Sequence, residues 1–231
     1  LCLLVAGVGM KAQNVKRPES YNYQRGVEAY QNEQYKTAME FFEKEVKDNP
    51  KNGYAYSWMA SINQAFDDNG RALTNINQAL KFLPRKDLDY MLFAYSIRSN
   101  IYLALEDTVK ALDDLGQIIR LMPKDTRGYE KRGNLYYQMG KYDLSDADYK
   151  KMTELDPGET MGYMGLGRNA NARKDWDGAI RQFDHVMKLS SDYSQPYAFR
   201  AEAYIGKEMW NEGTDDIVSA LKCGADRKAM Y

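Results

Sequence analysis

From about residue 20 onward, apolar residues recur at steps of three and four rather than two. Phe183, Val186 and Met187 are one such run. This is the spacing of a helix with one buried face, and no strand-like alternation interrupts it. The pattern itself repeats. Pro50 and Pro84 stand 34 residues apart, as do Pro123 and Pro157, and Tyr95, Tyr129, Tyr163 and Tyr197 keep the same step. Between Tyr56 and Tyr95 the step is 39, so five extra residues fall near Arg85 to Asp89, where a loop is expected. Six units result, starting near Pro18, Gly53, Leu92, Thr126, Thr160 and Ser194.

Superposed and numbered from 1 to 34, the units agree at a few places. Position 8 reads Gly26, Ala60, Ser99, Gly133, Gly167 and Ala201; position 20 reads Ala38, Ala72, Ala111, Ser145, Ala179 and Gly213. Two helices approach closely only where one offers a small side chain, so these are the expected contact points of a helix pair. Position 24 is large throughout: Phe42, Ile76, Leu115, Tyr149, Phe183 and Ile217. Tyr35, Tyr142, Trp176 and Trp210 occupy position 17. Gly140 falls between the two helical stretches of its unit, where a helix end needs positive φ, and Pro157 cannot continue the helix before it.

These residues resemble the tetratricopeptide repeat family over roughly residues 18 to 227. The fourth unit matches most closely, through Tyr129, Gly133, Tyr136, Gly140, Tyr142, Tyr149 and Pro157, with Ser145 in place of the usual Ala. The resemblance implies an all-α fold: an α-solenoid of six antiparallel helix pairs in a right-handed superhelix, whose first helices line a concave face. No unit could bury its apolar face alone, so stability is shared between neighbours. The expected domain runs over 20–231, and Asp226 is an expected N-cap of a closing helix that the chain leaves incomplete.

Charge adds a second layer. Position 7 is Arg25, Arg98, Arg132 and Arg200, and position 23 is Asp114, Asp148 and Asp216 in the last three of those units. Acid accompanies base, so Arg98–Asp114, Arg132–Asp148 and Arg200–Asp216 are expected to pair between the helices of one unit. Their role is then structural, not ligand binding. Overall, 32 basic and 33 acidic residues leave a net charge of −1. That balance gives no field to draw in nucleic acid or an anionic membrane.

The family's groove positions give the ligand candidates: Tyr23, Tyr30, Tyr54, Trp58, Phe93, Asn100, Asn134, Tyr137, Met164, Arg168 and Phe199. Aromatic and Met side chains suit an extended peptide or a partner helix, while Asn100, Asn134 and Arg168 would hydrogen-bond its backbone or ends. A tightly wound superhelix would instead bury some of them against the next unit. Chaperone-binding members of the family grip a terminal carboxylate with Lys and Asn residues at set positions. Here position 5 has no Lys and position 6 no Asn, so that clamp is absent.

Catalysis finds no support. His185 is the only histidine, on a helix face between Asp184 and Val186, and is expected at the surface. No metal set, phosphate loop or nucleophile elbow occurs, and no cofactor is expected. Cys223 is expected to pack as a small hydrophobe. The start differs from the rest: Leu1 to Met10 is apolar and uncharged, followed by Lys11-Ala12-Gln13. Too short to span a bilayer, it reads as a signal-peptide remnant (1–12) cleaved after Ala12, with a linker over 13–19; the end of a longer membrane anchor is the alternative. Together these features point to an exported scaffold, periplasmic or at the surface of a Gram-negative bacterium, that binds a protein or peptide in its groove. The alternative is an assembly subunit that works through repeat stacking.

Overall fold

The computed structural model describes residues 15–190 and 194–224. Among these residues there are twelve helices and no strand, and they form two compact units that divide after Leu121. The first unit holds α1 (Tyr21–Gln31), α2 (Tyr35–Asp48), α3 (Gly53–Ala65), α4 (Asn69–Phe82), α5 (Leu88–Ala104) and α6 (Thr108–Leu121). The second holds α7 (Thr126–Gln138), α8 (Tyr142–Leu155), α9 (Thr160–Ala172), α10 (Trp176–Leu189), α11 (Ser194–Gly206) and α12 (Trp210–Lys222). Helices pair within each repeat, α1 with α2 through to α11 with α12, and each second helix also meets the first helix of the next repeat in its unit. First helices touch directly as well, α3 with α5, and α9 with both α7 and α11. The all-α helical-repeat fold expected from the periodicity is the fold found.

The expected packing rule acquires atoms. Every residue at positions 8 and 20 is buried. The small residue at position 8 meets the large one at position 24 of its own repeat. A Cβ added to Gly26 would lie 2.6 Å from the Phe42 ring, and one added to Gly167 2.5 Å from that of Phe183. Phe42 and Phe183 are wholly buried there, each contributing about 2–3 kcal/mol of apolar burial. Ser145 has a reason of its own. Its hydroxyl donates to the Gly133 carbonyl at 2.8 Å, closing α8 onto α7.

One regularity had a sequence signal at a single position. Position 15 of every repeat has left-handed backbone: Glu33, Asp67, Glu106, Gly140, Lys174 and Glu208, with φ between 58° and 69°. Only Gly140 was expected. In each repeat the following N–H reaches back to a carbonyl in the last turn of the first helix, as Lys141 to Tyr136 at 2.9 Å and Asp175 to Ala170 at 2.9 Å. This Schellman closure turns the chain into its second helix. It holds its geometry with a charged residue at five of the six sites.

Three expectations need correction. The five extra residues do not all form a loop: α5 has 17 residues against 13 in α7, because the insertion adds a turn to its start, capped by the Asp87 side chain on the Tyr90 N–H. Residue 17 of the expected linker is engaged, with Arg17 bonded to Asp87 through two contacts of 3.0 Å. Cys223 is exposed, because it follows the last turn of α12 instead of facing a neighbour. The signal remnant, Ala12 and Asp226 lie outside the described residues.

Candidate functional site

The arginine row at position 7 is built as expected. Arg98 and Asp114 meet in two hydrogen bonds of 2.8 and 2.7 Å, Arg132 and Asp148 in two of 2.9 and 2.6 Å, and Arg200 and Asp216 in two of 2.7 Å. The three aspartates are 1–5% exposed. Hydrogen bonding to them pushes all three guanidinium pKa values up. Burial pulls the other way and holds the Asp114 carboxyl above the usual range; with two short bonds from Arg98, the ionised pair is the state the geometry supports. Arg25 lacks an acid at position 23 and turns outward to Glu28 instead. These arginines join helices and are spent on that task.

In the first unit the candidate groove residues fill one another's space. Tyr23 and Tyr54 are each 6% exposed and belong to the core, which corrects their place on the binding face. The reason is the insertion. Its extra turn carries Tyr90, whose hydroxyl lies 2.8 Å from that of Tyr23 and accepts from the Trp58 indole N–H at 3.1 Å. Tyr54 donates to Asp87 at 3.1 Å, and Arg17 stacks over the Tyr90 ring at 5.0 Å. Burial pushes the Tyr23 and Tyr90 hydroxyls up, and that of Tyr54 to about 12, so all three remain neutral donors. Tyr30 and Phe93 stay half-buried, their rings 4.6 and 5.2 Å from that of Trp58, and Tyr30 shares a hydrogen bond with Ser61. Asn100 is exposed.

The second unit is more open. Met164 is 4% exposed and also moves from the binding face to the core, packed among Ala170, Ala179 and Phe183. Three of the other four candidates come together on the row of first helices, and Asn134 is tied to the second helix of its own repeat. Arg168 of α9 lies over the Tyr137 ring of α7 at 4.5 Å and near the Phe199 ring of α11 at 5.8 Å. Asn134 accepts a hydrogen bond from Tyr149 at 2.9 Å. Burial raises the Tyr149 hydroxyl to about 12, against the pull of Arg168. Sequence reasoning missed Asn171, 5% exposed, which donates to the Phe199 carbonyl at 2.8 Å and to Glu202 at 3.1 Å, pinning α11 beside α9. It occupies a groove position, and its side-chain type was the only available signal. Asn169, also missed, is fully buried and ties α9 to Asp146 of α8 at 2.7 Å.

His185 is exposed, with its ring 4.2 Å from that of Tyr163. Among the described residues no group of His, Cys, Asp and Glu could hold a metal, and no helix is long and apolar enough to cross a membrane.

Known proteins agree with this architecture. Residues 126–159 match the model of the tetratricopeptide repeat. A curated relative, a DnaJ homolog subfamily C member 7 homolog from Schizosaccharomyces pombe, is 24% identical over 181 residues, covering 77% of this chain. The aligned part is 32% of that protein, so the chain spans about a third of the curated relative it matches. Among solved structures, a tetratricopeptide repeat protein from Parabacteroides merdae superposes with a TM-score of 0.72 at 19% identity, over 89% of this chain and 79% of that one. The C-terminal part of a repeat protein from Cytophaga hutchinsonii gives 0.77 at 15% identity, over 87% and 78%. YrrB, described as having an unusual peptide-binding site, gives 0.62 at 18% identity, over 82% and 95%. At these identities the likeness is one of fold.

Proposed function

We propose that this chain, which matches a tetratricopeptide repeat over residues 126–159 and shares the fold of such proteins, is a non-catalytic scaffold that binds a protein or peptide partner along its first helices, in the bacterial cell envelope. The observation that carries the reading is the cluster on α7, α9 and α11. Two half-buried aromatic rings and an arginine lie together there, Asn134 is bonded to Tyr149 on the same repeat as Tyr137, and among the described residues no group of His, Cys, Asp and Glu could hold a metal. Rings of this kind give an extended segment apolar contact, and the polar groups fix its register. The envelope part of the reading rests on the apolar opening Leu1 to Met10. Immobilised protein tests both parts. A partner retained from an envelope fraction, and lost with Tyr137→Ala, supports the proposal. Equal capture by wild type and Tyr137→Ala refutes the site. An alkaline phosphatase fusion to the full gene product that shows no activity, since that enzyme forms its disulfides only after export, refutes the location.

A second reading, assembly with other chains, has one observation behind it. Phe66, at the C-cap of α3, is 56% exposed, and Trp210, the first residue of α12, is 61% exposed. Phe66 edges a cleft of about 890 Å³ with Tyr35 and Met39. A monomeric mass at high concentration would count against this reading.

A further inference from the structure

Four arginines in the described residues are half-buried, and three of them are used up. Arg98, Arg132 and Arg200 each grip a buried aspartate with two hydrogen bonds. Arg168 is the fourth, and among the described residues no carboxylate lies within 4.0 Å of it. Its neighbours are rings. Tyr137 and Phe199, from the helices on either side, approach the guanidinium at 4.5 and 5.8 Å. Glu202, one turn beyond Phe199 on α11, accepts a hydrogen bond from Asn171 at its Oε2. Asn171 also donates to the Phe199 carbonyl, so one side chain holds both the backbone that carries the ring and the Glu202 carboxylate.

A stacked guanidinium keeps its N–H donors in its own plane, directed past the rings, and is only weakly hydrated. It is thus prepared for a planar, two-oxygen acceptor at little ordering cost. We infer that Arg168, framed by Tyr137 and Phe199, is the recognition point for an acidic side chain of the bound peptide, an Asp or Glu within the segment. This inference rests on the peptide-binding reading above and names what that site selects. An internal carboxylate is favoured over a chain end because the residues that grip a terminal carboxylate in chaperone-binding relatives have no counterparts here. One arginine suits one carboxylate.

The test uses a degenerate, C-terminally amidated peptide library with one fixed central residue, presented to the full chain at low salt. Asp and Glu should be enriched at the fixed position. A selected peptide should bind about ten-fold more tightly than its Gln counterpart by fluorescence polarisation, and that ratio should fall toward one in Arg168→Met and at high salt. Arg168→Lys, which keeps the charge but not the fork, should retain part of the preference; thermal melts establish that both variants fold. Peptides selected without acidic preference, or with a preference unchanged in Arg168→Met, overturn the inference and leave the groove reading standing. Selection of no peptide overturns both. A library with free C-termini that selects acids only at its end overturns the choice of a side chain.

Discussion

Asp148 has both carboxylate oxygens bonded to Arg132, at 2.6 and 2.9 Å, and is 3% exposed. Removing the arginine as Arg132→Met leaves a methionine of similar length and a buried aspartate without its partner. Breaking a fully buried pair from one side costs about 3–5 kcal/mol. Here the Arg132 side chain is 26% exposed, so water reaches the vacated space and the expected loss is nearer 2–3 kcal/mol. For a folding unit of this size that lowers the melting temperature by roughly 10 °C. Asp148→Leu should lose a similar amount, because a buried guanidinium then lacks its acceptor. The double variant should lose far less than the sum, since an apolar pair of matched volume replaces a buried ion pair at little net cost. A double-mutant cycle by urea unfolding measures the coupling, expected at about 2 kcal/mol. Peptide binding should survive in every variant, because the pair faces between α7 and α8. Additive losses, or single losses below about 0.5 kcal/mol, would refute the claim that the pair joins the helices.

Other outcomes follow from single observations. Lys174 has φ 61° with a side chain that resists it, so Lys174→Gly should gain up to about 1 kcal/mol, whereas Gly140→Ala should lose about that much in the same denaturation assay. Gly167→Ala should cost about 1–3 kcal/mol, because its new Cβ meets the Phe183 ring at 2.5 Å, and Gly133→Ala less, since the Tyr149 ring lies at 3.2 Å. Glu130 is held above the usual glutamate range by burial and then by the charge of Glu159. A raised acid contributes stability below its unfolded pKa and loses it as pH rises through the folded one. Glu130→Gln should therefore raise the melting temperature near neutral pH, and the gain should vanish below about pH 4.

The repeat period, the small residues at positions 8 and 20, and the arginine–aspartate pairs were all legible because each recurs. A feature written several times at one spacing separates from chance in a single sequence. The six left-handed turns recur as faithfully, yet only Gly140 carried a signal. Backbone conformation there is imposed by the closing hydrogen bonds, as from Asp175 to Ala170, and the residue at position 15 merely tolerates it. The turn is specified by what surrounds it. The exposure of the candidate groove residues was half legible for a different reason. Groove positions state which side of a helix a residue occupies, not how near the next helix comes. Tyr23 and Tyr54 stand at groove positions but are buried, because the insertion extends α5 by a turn and brings Tyr90 and Asp87 onto them. An insertion announces its length in the sequence, not the ring it delivers.

The same logic separates Arg168 from the other half-buried arginines. At position 7 an arginine points between the two helices of its own repeat, and an aspartate sixteen residues later meets it. At position 9 the side chain lies along the row of first helices, where its contacts come from neighbouring repeats: Tyr137 before it and Phe199 after it. A partner within one repeat can be fixed by one short spacing. A partner across repeats depends on how α7, α9 and α11 stack, and here the stacking supplies rings and ties Glu202 to Asn171. The charge at position 9 is therefore left without the acid that closes every position 7 pair in this unit. An arginine at position 7 completes the scaffold through an aspartate of its own repeat, whereas Arg168, at position 9, meets rings and no carboxylate within 4.0 Å among the described residues.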